Sequence, residues 1–312
     1  MNIIIPELIF SNEMNIKLLD LIQSHAPNLY RFINESYAES NLSNYIEENG
    51  CTAFETWELK RCGFKNDKNK LFSSGLGPLL AKTKANDPDP VWIIELVHLE
   101  IGINGAVIQN PTIENLNKKE SLSLYESILP TIFKSEFRIE FISNERWRIF
   151  PLNSINTKSF SPKAIAGKNI NNFLDYTDKL RNWRKLLNEI EIVWNKHPVN
   201  TNRNKNGLET INSLWLYGGA LSWDFNKHES IILDDLENIK IYENIELWIK
   251  KLEDIDLSLK NHLYDKNNKQ KKDIKLTLFG TNRSIEISPL KNLNIFKRII
   301  YSRKNKWQYY LG

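Results

Sequence analysis

Two antiparallel hairpin patterns within residues 91–151 constrain the fold more than any other feature of the sequence. The dipeptide Asn104-Gly105 suits the two positive φ angles of a type I′ turn, and it separates two short apolar runs. Farther on, residues 137–141 alternate apolar and charged side chains, and Trp147 and Ile149 continue the pattern after a polar turn. Hairpins argue against a purely parallel sheet. We therefore expect an α+β fold, or an α/β fold with a mixed sheet, in which antiparallel hairpins are flanked by amphipathic helices.

Helical spacing of apolar residues surrounds these hairpins. The longest pattern places six apolar side chains at intervals of three and four, namely Tyr176, Leu180, Trp183, Leu187, Ile190 and Trp194. This helix must end before Pro198, because proline disfavours the α conformation of the residue before it. Other helices are expected over 12–24, 120–134, 244–263 and 290–302. Strands are expected over 3–5, 91–99, 213–217, 230–233, 274–279 and 284–287.

The organisation of the chain shows no internal repeat and no linker rich in Gly, Ser or Pro. A chain of 312 residues with 41% hydrophobic residues is long enough to bury a sizeable core. We expect residues 1–312 to form a single compact domain, or two closely packed lobes with a soft boundary near residues 151–172.

Charge and cysteine content exclude several classes of partner. The 42 basic and 38 acidic residues give a net charge of +4 and are mixed along the chain, and the only dense basic run, 266–272, has no interleaved aromatic residue. We expect no nucleic-acid partner. No apolar run is long enough to span a membrane, so no membrane partner is expected either. The two cysteines, without a secretory leader, favour a reducing compartment and a cytoplasmic location.

The segment HPVNTNRNKNGLETINSLWLYGG, residues 197–219, carries the chemistry that is easiest to interpret. We expect its first part to be a loop between a helix and a strand, and its strand to end in Gly218-Gly219. Arg203 offers a forked cation, Asn200 an amide, and the glycines a close backbone approach, a combination that suits a phosphate or a carboxylate. The alternative is structural, because Asn and Gly are common turn residues and a loop arginine often pairs with a carboxylate of the chain.

Two histidines have competing interpretations. His98 lies in an apolar strand, where it is either a core histidine bonded to a backbone carbonyl or a catalytic base. His197 precedes Pro198, where it is either a cation at the C-terminus of a helix or a ligand contact. No catalytic residue is assigned. The candidate ligand-binding residues are His98, His197, Asn200, Arg203, Asn212, Gly218 and Gly219.

The same segment resembles a motif of the archaeal-type cofactor-independent (2,3-bisphosphoglycerate-independent) phosphoglycerate mutases. The matching positions run from HPVN through Arg203, Gly207 and Asn212 to Gly218, whereas Ala220 departs from the Gly-any-Gly of that motif.

Along most of its length the chain resembles the RpfE-like bacterial regulatory proteins. The residues that carry this resemblance are those of FETWELKRCGF and VWIIELVHLE, with Arg146-Trp147, Trp183-Arg184 and Asn188-Glu189. Glu95-Leu96 stands where that family usually has Asp-Pro, so a role that depends on an aspartate there does not transfer.

The mutase resemblance implies a metalloenzyme with two divalent ions held by aspartates and histidines. Here the first strand leads into Pro6-Glu7 instead of Asp-Gly, no Asp-any-His or His-any-His pair occurs, and the histidines are dispersed. No metal ligand is assigned and no cofactor is evident. We expect a non-catalytic, phosphoglycerate-mutase-like regulatory protein that binds a small phosphorylated metabolite.

Two alternatives stay open. The first is an enzyme that interconverts 2- and 3-phosphoglycerate, an isomerase that would need a divalent metal such as Mn or Mg. The second is a module that binds a protein partner, which the sequence does not identify.

Overall fold

The computed structural model describes residues 1–9, 12–42, 46–103, 105–226, 229–237, 239 and 244–293, with only the backbone at 12–18 and 42. The chain divides into two compact units. The first takes Met1–Tyr45 and Lys227–Gly312, and the second takes Ile46–Asn226. Residues 151–172 lie inside the second unit.

The strands and helices follow one another in a mixed order along the chain. The strands are β1 (Asn2–Ile9), β2 (Ser36–Leu42), β3 (Val91–Val97), β4 (Leu99–Gly102), β5 (Gly105–Ile108), β6 (Phe137–Phe141), β7 (Arg146–Pro151), β8 (Ser213–Ala220), β9 (Ser230–Ile232), β10 (Lys275–Gly280) and β11 (Arg283–Pro289). The helices are α1 (Asn12–His25), α2 (Pro27–Asn34), α3 (Ile46–Asn49), α4 (Ala53–Arg61), α5 (Leu76–Ala81), α6 (Lys118–Ile132), α7 (Pro162–Ile165), α8 (Arg181–Asn195), α9 (Pro198–Lys205) and α10 (Ile245–Leu263). Within the described residues, no helix is both long enough and apolar enough to cross a membrane.

A mixed sheet forms the centre of the first unit, with the strand order β2-β11-β10-β1-β9. Strand β1 pairs in parallel with β10 and β9, while β10, β11 and β2 pair antiparallel. Its Ile3 and Ile5 pack in one core with Trp248 and Leu252 of α10. The strand extends past the expected 3–5 to Ile9, with a register shift after Ile5, as expected where proline cannot donate a ladder hydrogen bond.

An antiparallel sheet with the order β6-β7-β3-β8 forms the centre of the second unit. Strand β3 is buried along its whole length. One face of the sheet packs in a cluster with apolar residues of α6 and α8, and the other face packs with residues of α4, α5 and the segment 160–174. Helices therefore cover both faces at β3, which explains why this strand has an almost continuous apolar sequence.

The fold class and the hairpins expected from the sequence are confirmed. Strands β6 and β7 pair antiparallel, as do β10 and β11. Strands β4 and β5 also pair, but Gly102 lies opposite Gly105. The connecting residues are therefore 103–104 instead of the expected Asn104-Gly105, and Asn104 lies outside the described residues.

Two expectations at helix boundaries are wrong. Helix α8 begins at Arg181, and Tyr176 is exposed before it. The segment from Pro198 to Lys205 is helix α9 instead of a loop. Proline is favoured in the first turn of a helix, where its missing N–H costs no hydrogen bond, and the ring of His197 accepts the Val199 N–H as an N-cap. The expected final helix at 290–302 lies largely outside the described residues.

A buried carboxylate joins α10 to α2 in the first unit. Helix α2 has no side-chain cap at Ala26, and Asp256 of α10 takes that role. One of its oxygens accepts the Leu29 N–H at 2.8 Å, and the other accepts the Asn28 side-chain amide at 2.7 Å and, more weakly, the Asn28 N–H at 3.3 Å. Asp256 is 3% exposed, so it satisfies helix donors that water cannot reach easily.

We expect Asp256→Ala to lower the free energy of unfolding by about 3 kcal/mol, because it leaves buried donors without an acceptor. Urea unfolding followed by circular dichroism measures the change. Asp254→Ala is the matched control, since Asp254 is exposed on the same helix, and its effect should stay within about 0.5 kcal/mol. Equal effects of the two variants would contradict the capping role.

Candidate functional site

Asn200 links the end of α8 to the start of β8. Its side-chain amide donates to the carbonyls of Trp194 and Ile211 at 2.9 and 2.8 Å, and its oxygen accepts the Ile211 N–H at 2.8 Å. The residue is 3% exposed. Both amide protons and the oxygen are thus bonded to backbone groups of the chain itself.

Arg203 has no exposed surface. Its Nε donates to the carbonyl of Glu209 at 2.7 Å, its Nη2 to the carbonyl of Glu114 at 2.8 Å, and its Nη1 to the carboxylate of Glu120 at 3.2 Å. The guanidinium fork, which the sequence assigned to an anion, is bonded to groups of α6 and of two connecting segments.

His98 lies just after the end of β3, and Asn212 lies just before the start of β8. Each bonds the chain next to the neighbouring strand. The Asn212 side chain accepts the Leu99 N–H at 2.7 Å and donates to the Leu99 carbonyl at 2.8 Å, so it pairs with Leu99 as a strand residue would. The Nδ1 of His98 lies 2.8 Å from the carbonyl of Thr210. Because a carbonyl only accepts, Nδ1 of His98 is the donor in this bond.

His197 has the opposite arrangement, since its Nδ1 accepts the Val199 N–H at 3.2 Å. Burial lowers the pKa of this imidazole below its ordinary value. Both observations favour a neutral ring at pH 7, so the interpretation of His197 as a helix C-terminal cation has no support in these contacts.

Gly218 and Gly219 both have positive φ, at 97° and 101°. A Cβ on Gly218 would lie 2.8 Å from the Val91 carbonyl oxygen and 2.9 Å from the Cα of Gly77. The N–H and C=O of Gly218 also bond the hydroxyl of Ser159. Close packing of the backbone therefore explains this glycine without an anion.

The structure brings only some of the candidate residues together. Asn200 and Asn212 line one polar depression, and His98 contacts its Thr210. The lining residues are Asn195, Asn200, Thr201, Asn204, Lys205, Thr210 and Asn212. The guanidinium of Arg203 bonds elsewhere, and Gly218 and Gly219 lie toward the other end of β8. The assignment of these residues to a ligand remains a prediction.

An apolar cavity of about 370 Å³ lies beside β8 and was not expected from the sequence. Its walls come from α8, from β8 and from the segment 157–176. The apolar lining residues are Leu99, Phe160, Ile170, Phe173, Leu174, Leu180, Trp183, Leu187, Leu214, Trp215 and Leu216. These positions are spread over more than 100 residues, and each fits a core position in its own element, so no local pattern indicates a shared cavity.

A few polar groups are placed around this cavity. The Ser213 hydroxyl donates to Glu191 at 2.6 Å, and the Thr157 hydroxyl donates to Asp175 at 2.7 Å. Burial alone would raise the pKa of the Asp175 carboxyl, but hydrogen bonds from Thr177 and Thr157 outweigh it and lower that pKa. Asp175 is therefore ionised at neutral pH.

A buried ionic cluster lies on the face of the sheet opposite α6 and α8. Arg146 donates two hydrogen bonds to Glu95, at 2.9 and 3.1 Å, and the Tyr217 hydroxyl donates a further bond to the same carboxylate. Burial and the neighbouring Glu95 hold the pKa of Tyr217 well above its ordinary value. Glu95, which departs from the RpfE-like pattern, thus has structural partners on β7 and β8.

In the described residues, no group of three or more His, Cys, Asp or Glu side chains is placed to hold a metal ion.

Comparisons with known proteins show distant structural similarity. The sequence matches no protein-family model and no curated protein. Among solved structures, the PH0037 protein from Pyrococcus horikoshii is 10% identical, with 92% of this chain and 87% of that chain covered and a TM-score of 0.46. A cofactor-independent phosphoglycerate mutase from Thermoplasma acidophilum is 15% identical, with 92% and 88% covered and a TM-score of 0.32. These identities and TM-scores assign no family.

We expect Arg203→Ala to lower the free energy of unfolding by about 3 kcal/mol or more with no ligand added, because two carbonyls and Glu120 lose a buried cation. Thermal and urea unfolding measure the loss. Arg181→Ala, at an exposed position of α8, is the control and should change stability little. An Arg203→Ala protein as stable as the wild type would contradict this structural role of the guanidinium.

Proposed function

We propose that this protein acts by binding a ligand, as a regulatory protein does, and not by catalysis, and that the apolar cavity beside β8 is its ligand site. The observation that carries this proposal is the apolar cavity of about 370 Å³ in a chain whose candidate Asn200 and Arg203 are bonded internally. Ligand sites of this size are commonly apolar, with a small number of polar groups that orient the ligand.

The lining of the cavity supports binding chemistry. Its apolar walls include the aromatic side chains of Phe160, Trp183 and Trp215, which offer large contact areas. The polar groups are placed around them, and Glu191 of α8 is bonded to Ser213 at the start of β8. None of the described lining residues is a histidine, and the Ser213 hydroxyl is bonded to a carboxylate. The ligand class that fits is an apolar group with a donor or a positive charge facing Glu191.

We expect the uncharged dye N-phenyl-1-naphthylamine to bind the native protein with a saturable rise in fluorescence, because its rings match an apolar cavity and its N–H can donate to Glu191. Leu216→Trp, which places a larger side chain at a lining position, should remove most of that rise. Leu221→Trp is the matched control, because Leu221 is exposed just beyond β8 and does not line the cavity.

Thermal unfolding must accompany this titration, since the dye also binds loosened proteins. If Leu216→Trp proves unstable through overpacking, Leu187→Trp tests the same wall from α8. Undiminished dye binding to a stably folded filling variant would contradict the assignment of the cavity.

A second candidate function is the binding of a small phosphorylated acid, such as phosphoglycerate, at the polar depression around Asn200 and Asn212. The depression supplies amide and hydroxyl groups together with the cation of Lys205. The resemblance of the segment to the mutase motif supports this candidate, although the guanidinium of Arg203 is bonded to Glu120 and to backbone carbonyls. For a mutase-like enzyme, the protein would have to convert phosphoglycerate and not only bind it.

For this second candidate, 3-phosphoglycerate at about 100 times its Kd should raise Tm by about 5 °C. Lys205→Ala should abolish the shift, whereas Lys196→Ala, an exposed lysine just before the segment, should retain it. No shift with the wild type would contradict this candidate. Conversion of 3- to 2-phosphoglycerate that requires Mn²⁺ and stops on chelation would contradict the non-catalytic role.

A further inference from the structure

Strand β8 ends the order of the sheet in the second unit, and no described strand pairs with its outer side. The Leu96 N–H donates to the Glu145 carbonyl, so even-numbered residues of β3 bond toward β7 and odd-numbered ones bond toward β8. In the register of β3 and β8, the backbone N–H and C=O groups of Trp215 and Tyr217 then point toward β3. The N–H and C=O groups of Leu214 and Leu216 therefore point outward.

The outward groups of β8 differ in their partners. Those of Gly218 bond the hydroxyl of Ser159. In the described part of the chain, no hydrogen bond reaches the outward groups of Leu214 and Leu216, and both residues line the apolar cavity. Unpaired backbone groups on a strand edge are the usual template for the addition of another strand.

The cavity is lined from both faces of the sheet. Leu180, Trp183 and Leu187 belong to the cluster that covers one face, whereas Phe160 and Ile170 belong to the cluster that covers the other. The cavity thus occupies the position of the next strand after β8. A strand placed there would be buried on both faces, and such strands have continuous apolar sequences, often of β-branched residues.

An open groove continues the cavity past the start of β8. It shares Leu99, Asn188, Glu191 and Ser213 with the cavity and adds Ile101, Ala106, Ile192, Asn195 and Asn212. Ile101 is 87% exposed and Ile192 is 74% exposed. The side of α8 from Arg184 to Asn195 is about 16 Å long at roughly 1.5 Å per residue, which matches five or six extended residues.

Charge distinguishes the two ends of this groove. Glu191 lies at the Ser213 end, and its one hydrogen bond within the described residues comes from the Ser213 hydroxyl. At the other end of the cavity, the two cations of Arg184 and Lys158 outnumber the one carboxylate of Asp175. The two ends therefore carry opposite charges, and the negative Ser213 end favours a basic residue in the occupant.

We infer that the cavity and the groove receive an extended segment of a partner protein, which adds a strand to the outer edge of β8. The segment has three or four consecutive apolar residues and a Lys or Arg beside Glu191. Because antiparallel pairing is the more stable, the basic residue lies at its C-terminal end. This inference rests on the cavity being the ligand site, and it names the ligand.

The test uses the full-length protein and a fluorescein-labelled peptide, Ser-Val-Ile-Val-Ile-Lys amide, in a fluorescence anisotropy titration. Two further peptides carry N-methyl groups at one or the other alternate set of residues. The set whose N–H groups face β8 should weaken binding by about tenfold or more, while the other set should bind nearly as well, since only one set donates to the strand edge.

Protein variants test the charge independently. Glu191→Gln keeps an acceptor for Ser213 but removes the charge, and it should weaken the peptide by about five- to tenfold. Glu189→Gln, on the exposed side of the same helix, should leave binding unchanged. Moving the lysine to the N-terminal end of the peptide should also weaken binding.

Equal effects of the two methylation patterns would overturn the added-strand inference. So would a peptide that fails to bind while the dye still binds and Leu216→Trp still removes the dye. In that case the cavity keeps its role for another apolar ligand. If neither the dye nor any peptide binds, the proposed function and this inference both fail.

Discussion

The complete burial of strand β3 is the constraint on which the second unit depends. Its residues point alternately into two apolar clusters, so its neighbours must present apolar side chains on both faces. Glu95 lies in this buried strand and keeps its charge compensated through Arg146 on β7 and Tyr217 on β8. Because both partners come from flanking strands, a shift of either strand would leave a buried carboxylate without them, which penalises alternative registers.

The segment that carries the mutase-like motif satisfies a second structural requirement. Helix α8 must end, α9 must begin, and β8 must start beside β3 within a short stretch of chain, and each change of direction leaves backbone groups without regular partners. Asn200 bonds the end of α8 and the start of β8 at once, and Arg203 binds carbonyls of two neighbouring segments. Polar residues at fixed spacing can therefore be required by a junction between helices and a strand as readily as by a ligand site.

The cavity lies where the polypeptide backbone no longer covers the outer edge of β8. The segment 157–160 follows the outer edge of β8, and its Ser159 hydroxyl takes the place of a neighbouring strand at Gly218. Before that point the edge faces apolar side chains of both clusters instead of polypeptide backbone. In the part of the chain that the structure describes, this sheet edge stays open beside an apolar wall, whereas edges in folded proteins are normally covered or charged. This difference is the physical basis of the proposed binding role.

The sequence by itself determined the class of fold, because hairpin alternation and helical spacing are local properties of neighbouring residues. It identified the pairs β6–β7 and β10–β11 and most of the long helices. All of its candidate residues except His98 were drawn from one continuous segment, and the bonds of Arg203 to Glu114 and Glu120 lie beyond what such a segment reveals. Only the tertiary structure decided which polar groups are already bonded and where a cavity remains, because both depend on contacts between residues far apart in the chain.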